Sequence, residues 1–262
     1  MHYVAKIRMT QHRRALNRPT SQLGIDQDIE GKTIGIPEEF FGPGLDGECH
    51  ARIDEAIEVL KKKGAIIKNI HLPNLKFAIP TYYLLAPIEA ASNLARFDGV
   101  HYGYRHNDIT NLNDLYELSR EYGFGDEVKR RILIGTFASS AAYSTEYYKQ
   151  ALQAKQVIRN DYKRAFNEVD VILTPTTTST AFELGRDNLS RREMYLSDIY
   201  TVTVNLAGLP GISIPVGFSS NGLPVGMQLI GNRFDESSLL QIAHCYQKET
   251  DWHLSYPKEF QD

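Results

Sequence analysis

The chain has 262 residues and a net charge of −3, and its 42% hydrophobic and 23% charged residues are ordinary proportions for a globular protein. The charge gives no overall reason to expect binding to nucleic acid or to a membrane surface. No apolar run reaches the roughly 20 residues of a membrane-spanning helix. Two distant cysteines, Cys49 and Cys245, argue against a disulfide framework or a zinc site. We therefore expect a cytoplasmic protein of one large or two small domains, without membrane association.

The first 25 residues differ from the rest of the chain. They contain lysine and several arginines but no acidic residue. A basic, acid-free start is also found in organellar targeting peptides, which leaves an organellar matrix as the alternative location. We interpret residues 1–25 as a basic, disordered leader that precedes a folded portion at 26–262.

A strand–helix–strand pattern opens the folded portion. Residues 32–37 and 65–70 predict strands, and residues 48–63 between them predict an amphipathic helix with its apolar residues at helical spacing. Gly64 follows the helix where a left-handed residue commonly ends one. A connection of this length favours a right-handed crossover and parallel pairing of the two strands.

The middle of the chain predicts helices. Pro87 lies inside the first of these segments, where a proline should kink or split the helix. The aromatic, glycine-containing residues 97–111 predict a loop, and residues 171–174 predict a short strand. The predicted helices are 80–95, 112–122, 125–140 and 145–169.

The densest pattern of structural signals lies at 198–231. A helix predicted at 191–207 leads into a proline–glycine turn, a strand at 212–216, a second turn and a strand at 225–230. A helix at 236–250 closes the chain. The whole pattern predicts an α/β fold with a mixed β-sheet flanked by helices, and places this hairpin at the centre of the sheet.

Three short motifs fail as functional sites. The Gly-Lys-Thr run at 31–33 lacks the earlier glycine of a phosphate-binding loop and is followed by a strand instead of a helix. Ser213 resembles the serine of a nucleophile elbow, but Pro215 replaces the final glycine, so a buried strand serine is the better interpretation. His101 and His106 match no metal-ligand spacing, and we expect them in a solvated loop.

Three polar residues on apolar helix faces remain as candidates. Tyr82 could be a core tyrosine with one bonded hydroxyl, and Arg131 could form a surface pair with Glu127 four residues earlier. Asp198 precedes the apolar run that ends at residue 206 and could be a solvated or capping acid. On the residues alone, these structural roles are favoured over a binding site.

Several stretches together resemble one family. The match is collinear from about residue 31 to the end of the chain, and the sequence resembles the C-terminal half of the A subunits of glutamyl-tRNA(Gln) amidotransferases, within the amidase signature family. The stretches are KTIGIPEEFF (32–41), IEAASNLARFDGVHYGYR (88–105), GFGDEVKRRILIGTF (123–137), VDVILTPTT (169–177), and NLAGLPGISIPVGF with GLPVGMQLIG (205–231). The resemblance implies an incomplete amidase-signature fold over 26–262.

The resemblance also implies a donor-glutamine site. Its binding residues match Tyr82, Arg131 and Asp198 of this chain. An arginine fork suits an α-carboxylate, an aspartate can accept from an α-ammonium group, and a tyrosine hydroxyl can orient the donor amide. The resemblance therefore reverses the preference, and we expect these three residues to bind substrate.

The catalytic residues of the family do not match this sequence. The family's nucleophilic serine, a second serine and a buried lysine belong to its N-terminal half, and we identify no catalytic residue here. The chain alone is expected not to cleave an amide, although a separate N-terminal amidase half could complete it. The resemblance implies the B and C subunits of the amidotransferase as partners, and tRNA contact through their complex. It implies no cofactor or metal in this chain, since ATP and Mg²⁺ are used by the partner subunit.

Two other functions remain open. The chain could be a non-catalytic module that binds its partner subunits but not glutamine. It could also be part of another amidase of the same family that acts on a different amide.

Overall fold

The computed structural model describes residues 24–140, 147–183, 194 and 197–257. Nearly all of the basic leader and the first part of the helix predicted at 191–207 lie outside these described residues. The contacts divide the chain into two compact units. One unit combines Met1–Leu75 with Ile158–Asp262, and the other is Lys76–Val157.

The described helices and strands follow the predicted order closely. The strands are β1 Thr33–Pro37, β2 Ile66–Ile70, β3 Val171–Pro175, β4 Gly211–Phe218 and β5 Pro224–Gly231. The helices are α1 Gly47–Lys62, α2 Ala78–Leu94, α3 Leu112–Gly123, α4 Asp126–Ser139, α5 Tyr148–Ala165, α6 Ile199–Ala207 and α7 Glu236–Lys248. Residues 97–111 contain no helix or strand, as predicted. None of the described helices combines the length and apolar character that crossing a bilayer requires.

The five described strands form one mixed sheet in the order β2-β1-β3-β5-β4. β1 pairs in parallel with β2 and β3, whereas β5 is antiparallel to β3 and β4. The mixed sheet and the parallel pairing of the first two strands are confirmed. The expectation that the β4–β5 hairpin forms the centre is wrong, because β3 lies there and β4 is an edge strand of the described sheet. The continuous burial of β3 is typical of a central strand covered on both faces.

One face of the sheet packs against α1 and α7. The α1 stripe predicted from helical spacing is buried there with its counterpart on α7, and Ile34, Leu173 and Leu229 face it from the sheet. The buried residues of the two stripes are Ile53, Ala56, Ile57, Leu60, Leu239, Ile242, Ala243 and Tyr246. The Asp46 carboxylate caps α1 by accepting from the amides of Glu48 and Cys49. Gly64 after the helix has a φ of 86°, which confirms its expected left-handed role.

The other side of this unit contains buried polar contacts. The Tyr162 hydroxyl lies 2.8 Å from the Thr203 hydroxyl, which joins the end of α5 to α6. The Tyr200 hydroxyl donates to the carbonyl of Phe40 at 3.0 Å. Gln228 of β5 donates from Nε2 to the carbonyl of Tyr200 at 3.2 Å. These bonds pair polar groups that would be costly to bury alone, and they attach α6 to the sheet unit.

The second unit is helical. α2 runs unbroken from Ala78 to Leu94, so Pro87 does not split this helix, and the alternative expectation of a kink stays a prediction. Pro87 is buried, and α4 packs directly against its backbone at Gly135. An interior proline removes one helical hydrogen bond, at a cost of about 3 kcal/mol. Packing against α4 offsets that loss, since tertiary contacts routinely outweigh local helix propensity.

Candidate functional site

Tyr82 lies on α2 in the helical unit. Its side chain is partly buried, and its ring contacts Tyr83 edge-on, with 5.4 Å between the ring centroids. Ala78 and Leu85, on the helix face predicted to be apolar, are buried. Tyr82 therefore lies on a helix with a buried apolar face, while its own side chain keeps some solvent exposure.

Arg131 lies on α4, the helix that packs against α2. Its side chain is 45% exposed, and its Nε donates to Glu127 Oε1 at 2.9 Å. The structural alternative considered from the sequence, a pair with Glu127, is therefore present. This bond uses only one edge of the guanidinium group. Within the described residues, the two Nη groups of Arg131 make no hydrogen bond or ion pair.

The neighbouring Arg130 is engaged differently. Its Nε and Nη2 donate to the two carboxylate oxygens of Glu127, at 2.8 Å and 2.6 Å. The hydrogen bonds from Arg130, followed by the one from Arg131, lower the pKa of Glu127 to about 2. Glu127 therefore remains charged at any physiological pH. Of the two adjacent arginines, Arg131 is the one that keeps a pair of donors for a further carboxylate.

Asp198 lies in the other unit, at the residue preceding α6. Its backbone carbonyl accepts from the amides of Thr201 and Val202, but its carboxylate does not cap the helix. The capping role considered from the sequence is therefore absent. Asp198 shares one face of α6 with Thr201 and Asn205 because residues three and seven positions apart align on a helix.

Thr201 and Asn205 line a cleft of about 570 Å³ that the sequence did not predict. The cleft lies between α6, the end of β3, the edge strand β4 and the segment after β5. Its polar and charged lining consists of Thr176, Thr201, Asn205, Ser213, Gln228, Arg233 and Glu236.

Two hydroxyl groups meet in this cleft. Thr176 Oγ1 and Ser213 Oγ lie 2.8 Å apart, on either side of Gly226 of β5. A Cβ at Gly226 would lie 3.1 Å from both hydroxyl oxygens, so this glycine leaves the space in which they meet. Ser213 is exposed on β4, and the expectation of a buried strand serine is therefore wrong. Strand alternation alone does not reveal which part of a sheet face a helix leaves uncovered.

Gln228 is the buried polar residue of the cleft. It is 6% exposed, and its Nε2 donates to Thr174 Oγ1 at 2.9 Å as well as to the Tyr200 carbonyl. Thr174, Gln228 and Ser213 pair across β3, β5 and β4, so they form one polar row on a single face of the sheet. In the sequence, the glutamine inside the apolar run of β5 was the feature from which this polar row could have been predicted.

The histidines of the aromatic loop serve a local structure. The carboxylate of Asp98 bonds His101 Nδ1 at 2.7 Å and accepts from the amides of Val100 and His101. These bonds, that of the His101 side chain first, hold the pKa of Asp98 well below its usual range. The described residues contain no group of three or more histidine, cysteine, aspartate or glutamate side chains placed to hold a metal ion.

Two of the three predicted residues, Tyr82 and Arg131, lie in the helical unit on α2 and α4, which pack against each other. The third, Asp198, belongs to the sheet unit.

Comparison with known proteins places the chain in context. A family model described as Amidase matches residues 5–240. A curated relative, the glutamyl-tRNA(Gln) amidotransferase A subunit of Thioalkalivibrio sulfidiphilus (strain HL-EbGR7), is 56% identical over 237 residues, covering 90% of this chain and 49% of the relative. The protein of the same name from Methylococcus capsulatus (strain ATCC 33009 / NCIMB 11132 / Bath) is 53% identical over 244 residues, covering 93% and 50%. The chain therefore spans about half the length of the curated relatives it matches.

Two solved structures resemble the structure of this chain. The crystal structure of the glutamyl-tRNA(Gln) amidotransferase A subunit from Thermotoga maritima matches with a TM-score of 0.65 and 36% identity, covering 86% of this chain and 44% of that chain. The 6-aminohexanoate cyclic dimer hydrolase matches with a TM-score of 0.70 over 93% of this chain and 50% of its own. At 18% identity, the second match shows a shared fold alone.

Proposed function

Since the chain belongs to the amidase family, we propose that it forms the glutamine-binding half of the A subunit of a glutamyl-tRNA(Gln) amidotransferase. The observation that carries this proposal is the 56% identity, over nine-tenths of the chain, to a curated protein of that name. The substrate is glutamine, which donates ammonia for the conversion of Glu-tRNA(Gln) to Gln-tRNA(Gln).

The donor is held by its α-carbon substituents. The two Nη groups of Arg131 bind the α-carboxylate as a fork, and the carboxylate of Asp198 accepts from the α-ammonium group. The hydroxyl of Tyr82 orients the side-chain amide. The support from the structure is local: Arg131 bonds Glu127 through Nε and keeps its Nη edge for a ligand.

The nucleophile comes from the half of the amidase fold that this chain does not span. The exposed Ser213 does not replace it, because the partner of its hydroxyl is Thr176, another hydroxyl and not a base that could remove its proton. We therefore expect this chain to bind glutamine without hydrolysing it. Amide cleavage requires the other half, with the nucleophile and its lysine.

The ammonia is used elsewhere in a larger assembly. The B and C subunits of the amidotransferase are the proposed partners, and tRNA is bound through their complex. ATP and Mg²⁺ act in the partner that activates glutamate, so this chain holds neither. The proposed location is the cytoplasm.

The test is ammonia release from glutamine by the purified chain, with and without the N-terminal half of the Thioalkalivibrio relative. We expect no release from the chain alone and release when the other half is added. Arg131→Gln should raise KM for glutamine on the order of 10- to 100-fold, since a hydrogen bond to a charged group contributes about 1.5–3 kcal/mol. Lys129→Gln, on the same helix, is the matched control and should leave KM unchanged.

Two results would overturn the proposal. Release by the chain alone would require a nucleophile within its own residues. Equal KM values for the Arg131→Gln and Lys129→Gln variants would remove Arg131 from the donor site.

A further inference from the structure

Glu127 is the shared partner of two adjacent arginines at the start of α4. Arg130 engages both of its carboxylate oxygens, and Arg131 donates to one of them from Nε. A surface pair four residues apart on a helix is common and contributes little stability. This arrangement is not a simple pair, because one carboxylate binds two neighbouring guanidinium groups, Arg130 through two donors and Arg131 through one.

The two arginines divide their donors differently. Arg130 closes a bidentate pair on Glu127, and its side chain is only 27% exposed. That pair fixes the plane of the carboxylate. Glu127 in turn holds Arg131 by the Nε edge, which directs the Nη edge of Arg131 away from the carboxylate.

Holding an arginine in this way matters for binding. A free arginine side chain loses up to about 2 kcal/mol of rotamer entropy when a ligand immobilises it. A side chain already held through Nε has lost part of that freedom before the ligand arrives. Preorganisation of this kind improves affinity without adding a contact to the ligand.

We infer that Glu127 is a positioning residue for Arg131: it holds the guanidinium group by its Nε edge and thereby presents the Nη edge to the α-carboxylate of glutamine. The inference rests on the proposed function for the identity of the ligand. The contact between Glu127 and Arg131 lies within this chain and can be tested without the ligand. Because hydrogen bonds from both arginines lower the pKa of Glu127 to about 2, the contact persists throughout the working pH range.

The first test uses the free chain. Glu127→Ala removes the carboxylate from the first turn of α4, and Asp126→Ala is its matched control. Asp126 is also a first-turn acid, pairs with Lys129 at 3.0 Å and is 99% exposed. We expect Glu127→Ala to raise the solvent-exchange rate of the Arg131 Nε proton, measured by NMR, on the order of 10-fold, which corresponds to the loss of one hydrogen bond. Asp126→Ala should leave that rate unchanged, and an unchanged rate in Glu127→Ala would overturn the inference.

The second test uses the reconstituted glutaminase. Glu127→Ala should raise KM for glutamine on the order of 10-fold and leave kcat within about twofold, because the residue acts through binding. Arg130→Gln should raise KM less, and the double variant should be no worse than Glu127→Ala alone, since Arg130 acts through Glu127. A KM for Glu127→Ala equal to that of Asp126→Ala would overturn the role in binding.

The two tests separate this inference from the proposed function. If Arg131→Gln leaves KM unchanged, the proposed function fails, while the exchange rate still decides whether Glu127 positions Arg131. If Arg131→Gln raises KM but Glu127→Ala changes neither KM nor the exchange rate, the proposed function stands and the positioning role fails.

Discussion

The backbone carbonyl oxygen of Pro87 lies 2.0 Å from the point that a Cβ atom on Gly135 would occupy. The carbonyl carbon of Pro87 and the Cβ of Ala91 would lie 2.5 Å and 2.9 Å from the same point. α2 and α4 therefore pack backbone against backbone, and glycine is required there by space and not by φ. This crossing lies roughly one turn beyond Tyr82 on α2 and one turn beyond Arg131 on α4, so it sets the spacing of the two helices that carry these residues.

Gly135→Ala should therefore destabilise the protein. The added methyl group must separate the helices, and overpacking of this kind costs about 1–3 kcal/mol despite the better helix propensity of alanine. Urea unfolding followed by circular dichroism measures the loss. Thr136→Ala, on the exposed side of the same helix, is the control and should be neutral or slightly stabilising. Equal midpoints for the two variants would show that the close packing is absent.

The buried hydroxyl pair of the sheet unit predicts that two substitutions lower the free energy of unfolding by different amounts. Tyr162 and Thr203 are 1% and 0% exposed, and their oxygens lie 2.8 Å apart. Tyr162→Phe leaves Thr203 bonded to the carbonyl of Tyr200, so it should cost about 0.5–1.5 kcal/mol of unfolding free energy. Thr203→Val leaves a buried tyrosine hydroxyl without its partner and should cost about 1–3 kcal/mol.

The double variant completes this test. Tyr162→Phe with Thr203→Val removes both hydroxyls, so it should cost less than the sum of the single changes, as coupled residues do. Urea unfolding of the four proteins measures the difference. Additive costs would mean that the two hydroxyls are not partners.

The sequence predicts the helices and strands better than it predicts exposure. Helical spacing identifies the buried stripe of α1, and Gly64 identifies its end, because both depend on local residues. The position of β3 at the centre of the sheet depends on long-range pairing. Ser213 is exposed because it lines the cleft that α6 and β4 border, and strand alternation cannot reveal such a cleft.

In the candidate site too, contacts between residues close in sequence are predictable, and contacts that depend on side-chain conformation or long-range packing are not. Helical spacing is sufficient to suggest that Arg131 can meet Glu127. The bidentate contact of Arg130 with Glu127 depends on side-chain conformations, which one sequence does not specify. Pro87 inside α2 is tolerated because Gly135 lies opposite it, and these residues are far apart in the chain. Helical spacing therefore predicts that Arg131 can reach Glu127, but it does not predict the contact of Arg130 with Glu127 or the packing of Pro87 against Gly135.

The two thiols should react at different rates. Cys49 is 2% exposed, and burial, together with the nearby Asp46, raises its pKa from 9.0 to about 11. Cys245 is partly exposed, with a pKa that burial also raises. At pH 8, iodoacetamide should label Cys245 first and Cys49 only on unfolding, because the thiolate is the reactive form. Mass spectrometry of singly labelled protein identifies the site, and equal labelling in the native protein would contradict the burial of Cys49.

The same shift predicts a loss of stability at alkaline pH. Below pH 9 the Cys49 thiol keeps its proton in both the folded and unfolded states. Between the unfolded value of 9.0 and the folded value of about 11, only the unfolded chain loses the proton, so the free energy of unfolding falls as the pH rises. Cys49→Ala should reduce this fall in urea unfolding measured from pH 8 to 11. Cys245→Ala is the comparison, and an identical pH dependence in wild type and Cys49→Ala would contradict the shift.

Asp198 offers the clearest separation of binding from folding. Its carboxylate does not cap α6, so Asp198→Asn removes no capping hydrogen bond from that helix. If the carboxylate accepts from the α-ammonium group of glutamine, the same change should raise KM in the reconstituted glutaminase on the order of 10- to 100-fold. Asp251→Asn is the matched control, because Asp251 also precedes a helical turn without capping it. A lowered midpoint with an unchanged KM would assign Asp198 a structural role and leave Arg131 as the charged anchor of the donor.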